Sequence, residues 1–198
     1  MEYKNCSVAY WGEPDIELKF CENKYENMYI AEYYNSMTAI SYMIVGLILY
    51  LNKRREAGFW SFFLGIGTFV MHSTLRYYGK WMDEVSMLML EMVAIKSLMM
   101  QYDVYIDYVS FFIFVLYFLI NNSYFFIVMF FGLLLFIGYK TRDKFYENNI
   151  LCYTLLMTLS IICWGVDQML CGYFDSYNFH ALWHVGTSLA ILFGMLAL

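Results

Sequence analysis

The sequence consists of long apolar runs separated by short polar breaks. A helix that crosses a bilayer needs about 20 mostly apolar residues, with about 17 as a lower limit. By this measure the chain predicts an amino-terminal segment of residues 1–33 followed by a transmembrane domain of seven helices over residues 34–198. The connections are short, so consecutive helices are expected to be antiparallel neighbours in one all-α bundle. The predicted helices are Tyr34–Leu51, Phe59–Tyr77, Trp81–Gln101, Val104–Ile120, Tyr124–Tyr139, Ile150–Leu170 and Phe179–Leu198.

Composition supports an integral membrane protein. Hydrophobic residues make up 62% of the chain and charged residues only 15%, whereas a soluble domain is about 25% charged. The net charge of −5 is scattered, and no basic block indicates binding to nucleic acid.

Basic residues cluster at two of the predicted connections, and these connections lie on the same side of the membrane. By the positive-inside rule this side is cytosolic, so the amino terminus faces the lumen or the exterior and the carboxyl terminus faces the cytosol. Arg76 and Lys80 lie on the other side and are outnumbered. The expected membrane is the endoplasmic reticulum by default, with the Golgi and the plasma membrane as alternatives. The clustered residues are Lys53, Arg54, Arg55, Lys140, Arg142 and Lys144.

All three histidines of the chain fall near the luminal ends of predicted helices. His72 lies about one turn from the end of the second helix, and His180 and His184 occupy the first two turns of the seventh. The spacing of four residues places both imidazoles on one helix face. A histidine inside an apolar span is costly to desolvate, so it needs a partner or a function. Three protein ligands with one open position are typical of catalytic zinc, which lowers the pKa of a bound water from about 15.7 to about 7.

Other interpretations of these histidines remain open. Each could be a hydrogen-bonded core residue or an interfacial residue, but three such residues in one leaflet favour a shared site. A bis-histidine haem fits less well, because its ligands normally approach from opposite faces.

Two further residues are candidates for the same chemistry. Asp83 follows His72 by eleven residues, just past a tight turn, and would act as general base; the alternative is an interfacial aspartate at a helix start. Thr68 lies one turn before His72 and would hydrogen-bond a developing oxyanion. Its alternative is a hydrogen bond back to its own helix backbone.

Four ordered stretches resemble the alkaline ceramidase family. They are YWGEPDIELKFCENKYENMYIAEYYNS from Tyr10, MHSTLRYYGKWMDEVSMLML from Met71, WGVDQMLC from Trp164 and FHALWHVGTSLAIL from Phe179. The resemblance implies a seven-helix bundle of the wider ceramidase and adiponectin-receptor-like superfamily. It also implies zinc-dependent hydrolysis of the ceramide amide bond to a sphingoid base and a free fatty acid.

The same resemblance assigns roles to individual residues. His72, His180 and His184 would be the zinc ligands, and Asp83 the catalytic acid and base. Thr68 stands where ceramidases usually carry a serine that assists the oxyanion, and it retains the hydroxyl.

A calcium site in the amino-terminal segment is also implied by the resemblance. Glu22 and Glu32 match its acidic positions, Asn23 is a plausible match, and Phe20 matches a carbonyl donor. Lys19 stands where the family has aspartate, and its ammonium would repel a dication that prefers oxygen ligands. Calcium binding is therefore expected to be weakened, unless Lys19 replaces the ion as an internal cation paired with Glu22 and Glu32.

The resemblance further implies a disulfide between Cys21 and Cys171 on the luminal side. The expected partner is the lipid substrate ceramide, and no obligate protein partner is implied. Two alternatives to a ceramidase remain: a related lipid hydrolase acting on phospholipids or lipid anchors, and a zinc-containing membrane receptor or lipid sensor without hydrolysis. The sequence does not fix the roles of Glu91 and Asp167.

Overall fold

The computed structural model describes residues 10–16, 20–25, 27–120, 122–174 and 178–198, so Cys6 and Lys19 lie outside the described residues. Within these ranges the structure is all helical, with one isolated bridge between Asn27 and Ile30. The predicted all-α class is confirmed. The helices are α1 (Tyr33–Thr38), α2 (Ile40–Leu51), α3 (Arg55–Thr74), α4 (Tyr77–Leu98), α5 (Asp103–Ile120), α6 (Ser123–Thr141), α7 (Asn148–Met169), α8 (Cys171–Phe174) and α9 (Phe179–Ala197).

Helical structure occurs at each of the seven predicted segments, although two boundaries differ in ways that affect the site. The first segment is divided at Ala39 into α1 and α2. The third begins at Tyr77, before the predicted start at Trp81, so Asp83 lies in the second turn of α4 and does not open the helix. The cause is the turn before it: Leu75 ends α3 with a left-handed φ of 52°, and the extended Arg76 immediately precedes α4.

Five helical segments in the described part of the chain are long and apolar enough to cross a membrane. They are Tyr33–Leu51, Met100–Ile120, Ser123–Lys144, Asn148–Met169 and Phe179–Ala197. The remaining long helices, α3 and α4, have 20 and 22 residues, which is sufficient length. They fall short in apolarity because they carry most of the Asp, Glu, Lys and Arg side chains of the described α-helices, and several of these are buried, including Lys80, Glu84 and Glu91.

Two glycines allow α3 and α4 to approach closely. A Cβ atom on Gly67 would lie 2.6 Å from the backbone nitrogen of Asp83, and one on Gly79 would lie 2.5 Å from that of Met71. Small residues are the usual means by which membrane helices bring their backbones together. This contact places Thr68, the neighbour of Gly67, beside Asp83.

The amino-terminal segment covers the end of the bundle where the histidines lie. The backbone N–H groups of Ala31 and Glu32 donate to the carbonyls of Ser73 (2.9 Å) and His72 (3.0 Å) at the end of α3. A disulfide joins Cys21 to Cys171, the pair implied by the family resemblance. The segment is therefore fixed both to the end of α3 and to the start of α8, just after α7 ends.

Candidate functional site

The structure brings together the three predicted ligands, His72, His180 and His184. His72 lies in the last turn of α3, and the other two lie in the first two turns of α9. The ring centroids are separated by 5.0, 4.9 and 4.7 Å, and one nitrogen from each ring lies within 4.8 Å of the others. The side chains are 1%, 5% and 2% exposed. Three imidazoles thus face one small volume shielded from solvent.

Neighbouring side chains fix the orientation of two of these rings. His72 Nδ1 lies 2.6 Å from Glu32 Oε2. His184 Nδ1 lies 3.1 Å from the Asn35 carbonyl oxygen and 3.0 Å from Thr38 Oγ1. Because a carboxylate and a carbonyl only accept, we infer that Nδ1 donates in both rings. The Nε2 lone pair of each ring is then available for a metal. Histidines that bind a metal usually donate their other ring N–H to a carboxylate or a carbonyl in this way.

His180 shows directly that the site fits a metal ion. Its Nδ1 atom is buried with no hydrogen-bond partner among the described residues, and the nearest carboxylate oxygen, Asp167 Oδ2, is 3.9 Å away. Buried polar atoms are rarely left unsatisfied unless a ligand or an ion completes their environment. In the described part of the chain, these three histidines are the group of metal-ligating side chains that can hold an ion, and imidazole suits zinc, copper, iron and nickel.

Asp83 lies in the same cavity as the histidines. The cavity has a volume of about 70 Å³ and is lined mainly by aromatic and apolar side chains, including Phe130 and Trp183. The Thr68 hydroxyl hydrogen-bonds Asp83 Oδ1 and also lies 2.9 Å from the Leu64 carbonyl oxygen. Thr68 therefore makes both the expected contact with its own helix backbone and an unexpected one that orients the carboxylate.

The carboxylates expected to bind calcium are engaged by donors within the protein. Glu22 accepts hydrogen bonds from the backbone N–H groups of Tyr34 (2.6 Å) and Asn35 (2.9 Å) at the start of α1. Burial raises the pKa of Glu22 above its ordinary value, and the two N–H donors oppose this rise. Glu22 thus caps a helix and anchors the amino-terminal segment to it.

Glu32 is completely buried between His72 and Lys24. Besides His72, it contacts Lys24 Nζ at 2.6 Å. Burial alone would raise the pKa of Glu32, but the hydrogen bond to His72 and the charge of Lys24 hold the pKa below its ordinary value. Glu32 therefore links the internal cation Lys24 to a candidate metal ligand.

Two further residues of the expected calcium site, Phe20 and Asn23, are among the described residues. The Phe20 ring packs against His72 and His180, with centroid distances of 4.8 and 4.2 Å. The Asn23 side chain is exposed. Lys19 lies outside the described residues, and the internal cation that the structure does describe is Lys24.

Comparison with known proteins agrees with the chemistry of the site. A model of the family described as Ceramidase matches residues 12–198. The chain belongs to the Ceramidase family. It is similar to Alkaline ceramidase 1 of Homo sapiens, with 25% identity over 224 residues that cover 92% of this chain and 81% of that one. It is also similar to Alkaline ceramidase of Arabidopsis thaliana, with 27% identity over 213 residues that cover 89% and 80%. The predicted family and enzyme class, a ceramide amidohydrolase, are confirmed.

Sequence reasoning missed two polar groups of this ceramidase. Lys24 was not considered as the internal cation, although it follows Glu22 closely and both lie in an acidic segment. Glu84 is buried beside the site cavity, where it accepts a hydrogen bond from the Tyr117 hydroxyl (2.5 Å). In the sequence, the signal for Glu84 is a second acidic residue directly after Asp83 within a predicted membrane helix.

The contact between Glu32 and His72 predicts that the variants His184→Ala and Glu32→Gln both retain less metal, and that His184→Ala retains the least. His184→Ala removes a ligand and should abolish retention of a divalent metal. Glu32→Gln keeps all three ligands but weakens the acceptor for His72 Nδ1, and loss of such a contact typically lowers metal affinity about 10–100-fold. Metal content after dialysis against chelators of increasing strength measures both effects.

Asp143→Asn provides the matched control, because Asp143 is 87% exposed and the substitution removes the same charge. It should retain metal like the unmodified protein. Equal retention by Glu32→Gln and Asp143→Asn would show that Glu32 does not support the metal centre.

Proposed function

We propose that this ceramidase is a zinc-dependent intramembrane amidase that hydrolyses ceramide to a sphingoid base and a free fatty acid. The observation that carries the proposal is the convergence of three buried imidazoles and the Asp83 carboxylate on one cavity. Family membership supports the substrate class, and the apolar lining suits a lipid.

His72, His180 and His184 would hold the zinc ion. Zinc bound at this position supplies Lewis acidity, which lowers the pKa of water and polarises an amide carbonyl. The protein contributes a mostly apolar cavity and fixes two of the rings through Glu32, Asn35 and Thr38.

Asp83 would carry the proton through the reaction. Its carboxylate accepts a proton from the attacking water and later donates it to the leaving amide nitrogen, as a general base and then a general acid. The Thr68 hydroxyl donates to Oδ1 and so orients the carboxylate. Thr68 would assist an oxyanion, as expected from the sequence, only after its hydroxyl turned away from Asp83.

Substitution of Asp83 should separate catalysis from metal binding. Asp83→Asn is expected to retain zinc but to lower kcat about 10²–10⁴-fold, the usual contribution of a general acid or base. His184→Ala should lose both zinc and activity. Thr68→Ser keeps the hydroxyl and should stay close to the unmodified enzyme, whereas Thr68→Val should lose activity. Release of sphingoid base from ceramide, together with zinc content, measures these outcomes.

The same assay tests the two alternative functions. Release of fatty acid from phospholipids or lipid anchors, without sphingoid base from ceramide, would favour the related lipid hydrolase. Retained zinc with no hydrolysis of ceramides across acyl lengths and pH would favour a receptor or lipid sensor. Either result would overturn the proposed reaction.

We also propose seven membrane spans, with residues 1–33 luminal, residues 34–198 forming the catalytic bundle and the carboxyl terminus cytosolic, in the endoplasmic reticulum by default. Support comes from the lengths of α3 and α4 and from the burial of their charged residues. Lys96 near the end of α4 pairs with Glu56 at the start of α3 (3.5 Å), at the opposite end from His72. The basic connection before α3 thus lies away from the metal centre.

Cysteine labelling in sealed microsomes tests this topology. Asp143→Cys should react with a membrane-impermeant maleimide directly, because residue 143 is exposed on the cytosolic side. Glu13→Cys, exposed on the luminal side, should react only after detergent is added. The parent protein gives the background from its cysteines outside the disulfide, which are Cys152 and Cys163 among the described residues and Cys6 beyond them. The reverse labelling pattern would contradict the proposed orientation.

We propose that Lys24, and not a calcium ion, balances the buried charge of Glu32. Both carboxylates of the expected calcium site are already engaged by protein donors, and an ammonium at 2.6 Å from Glu32 opposes a dication there. No catalytic step requires calcium in this proposal.

Calcium binding measured by equilibrium dialysis with ⁴⁵Ca²⁺ checks this assignment. The intact protein should show no saturable binding at millimolar calcium, and its Tm should be unchanged by the ion. Lys24→Gln leaves Glu32 without its cation and should lower Tm, whereas Lys140→Gln, at an exposed position, should not. Saturable calcium binding by the intact protein would overturn the assignment.

A further inference from the structure

A second cavity, here called the chain cavity, adjoins the site cavity within the bundle. It has a volume of about 70 Å³ and extends toward the ends of α6 and α9, where Thr141 and Leu198 lie. The two cavities share Tyr42, Met87 and Phe130 as lining residues. A long molecule held at the metal centre can therefore continue into the chain cavity.

Among the described residues that line the mostly apolar chain cavity, Glu91 is the charged one. It lies in α4, is only 7% exposed, and neither carboxylate oxygen has a hydrogen-bond partner among the described residues. The Tyr42 and Thr187 hydroxyls bond to each other at 2.5 Å. The Thr141 hydroxyl bonds to its own helix backbone. These three hydroxyl groups are therefore satisfied without Glu91, and Tyr153, the other polar side chain of the lining, makes no hydrogen bond to it.

The nearest basic residue along α4 also has other partners. Lys96 Nζ lies 2.8 Å from Asp107 and 3.5 Å from Glu56, so it does not neutralise Glu91. A buried carboxyl with no partner destabilises a fold. Residues that break a packing rule at such a cost are expected at functional positions.

We infer that Glu91 is a specificity-determining residue whose carboxyl hydrogen-bonds a hydroxyl group on the hydrocarbon chain in the chain cavity. The inference rests on the proposed function, because hydrolysis at the metal centre is what would bring a lipid chain to this position. Glu91 follows Asp83 by eight residues in α4, or about 12 Å along the helix, which corresponds to roughly ten methylene groups. The preferred substrate is therefore a ceramide with a hydroxyl near the middle of one chain.

Hydrolysis of matched ceramides tests the inference and identifies the chain. One substrate carries a mid-chain hydroxyl on the acyl chain, a second carries it on the sphingoid chain, and a third carries none. The intact enzyme should favour one hydroxylated substrate about tenfold in kcat/KM, the effect of one hydrogen bond. Glu91→Leu should abolish this preference and raise Tm, and Glu91→Gln should retain part of it.

Leu134→Met is the control, because it changes a chain-cavity side chain without adding a charge or altering its volume greatly. It should keep the preference for the hydroxylated substrate. An equal preference in the intact enzyme and in Glu91→Leu would overturn the inference, as would no preference for either hydroxylated substrate.

A binding measurement keeps this test separate from the proposed function. Radiolabelled long-chain fatty acids and sphingoid bases, each with and without the mid-chain hydroxyl, are bound to the intact protein and to Glu91→Leu. Tighter binding of one hydroxylated chain to the intact protein alone supports the role of Glu91 even if no ceramide is hydrolysed. Equal binding to both proteins would reject it, whatever the outcome of the hydrolysis assay.

Discussion

The contact between Glu32 and His72 is the interaction on which the rest of the site depends. The Glu32 backbone N–H donates to the His72 carbonyl, and its carboxylate lies 2.6 Å from His72 Nδ1. Both contacts join the amino-terminal segment to the end of α3. The segment therefore covers the candidate metal centre and, through the same residue, orients one of its ligands.

The polar side chains of the site need hydrogen-bond partners because they lie inside an apolar bundle. An imidazole or a carboxylate far from water is costly unless its polar atoms are satisfied. Here Glu32, Asn35 and Thr38 satisfy two of the rings from outside, and Thr68 binds Asp83. The unsatisfied nitrogen of His180 then marks the centre where an ion would complete the group.

The helices differ in whether they are mainly apolar or carry polar residues of the site. The five strongly apolar segments supply most of the surface that suits a lipid environment. In contrast, α3 and α4 carry Thr68, His72, Asp83 and Glu91, and they lie close together at Gly67 and Gly79. Part of the site therefore lies on the helices whose composition is least typical of a membrane span, and α9, one of the five apolar segments, supplies the other two histidines.

The sequence by itself determined the helical class, the helical segments and the residues of the candidate centre. The length of an apolar run and the spacing of His180 and His184 are local properties, so they can be recognised without coordinates. The start of α4, the internal cation and the isolation of Glu91 were decided only by the tertiary structure. The features concerned are the left-handed conformation of Leu75, the contact between Lys24 and Glu32, and the Glu91 carboxyl without a hydrogen-bond partner. Each of these features depends on which distant residues meet. That depends on the packing of α3, α4 and the amino-terminal segment, which no local pattern encodes.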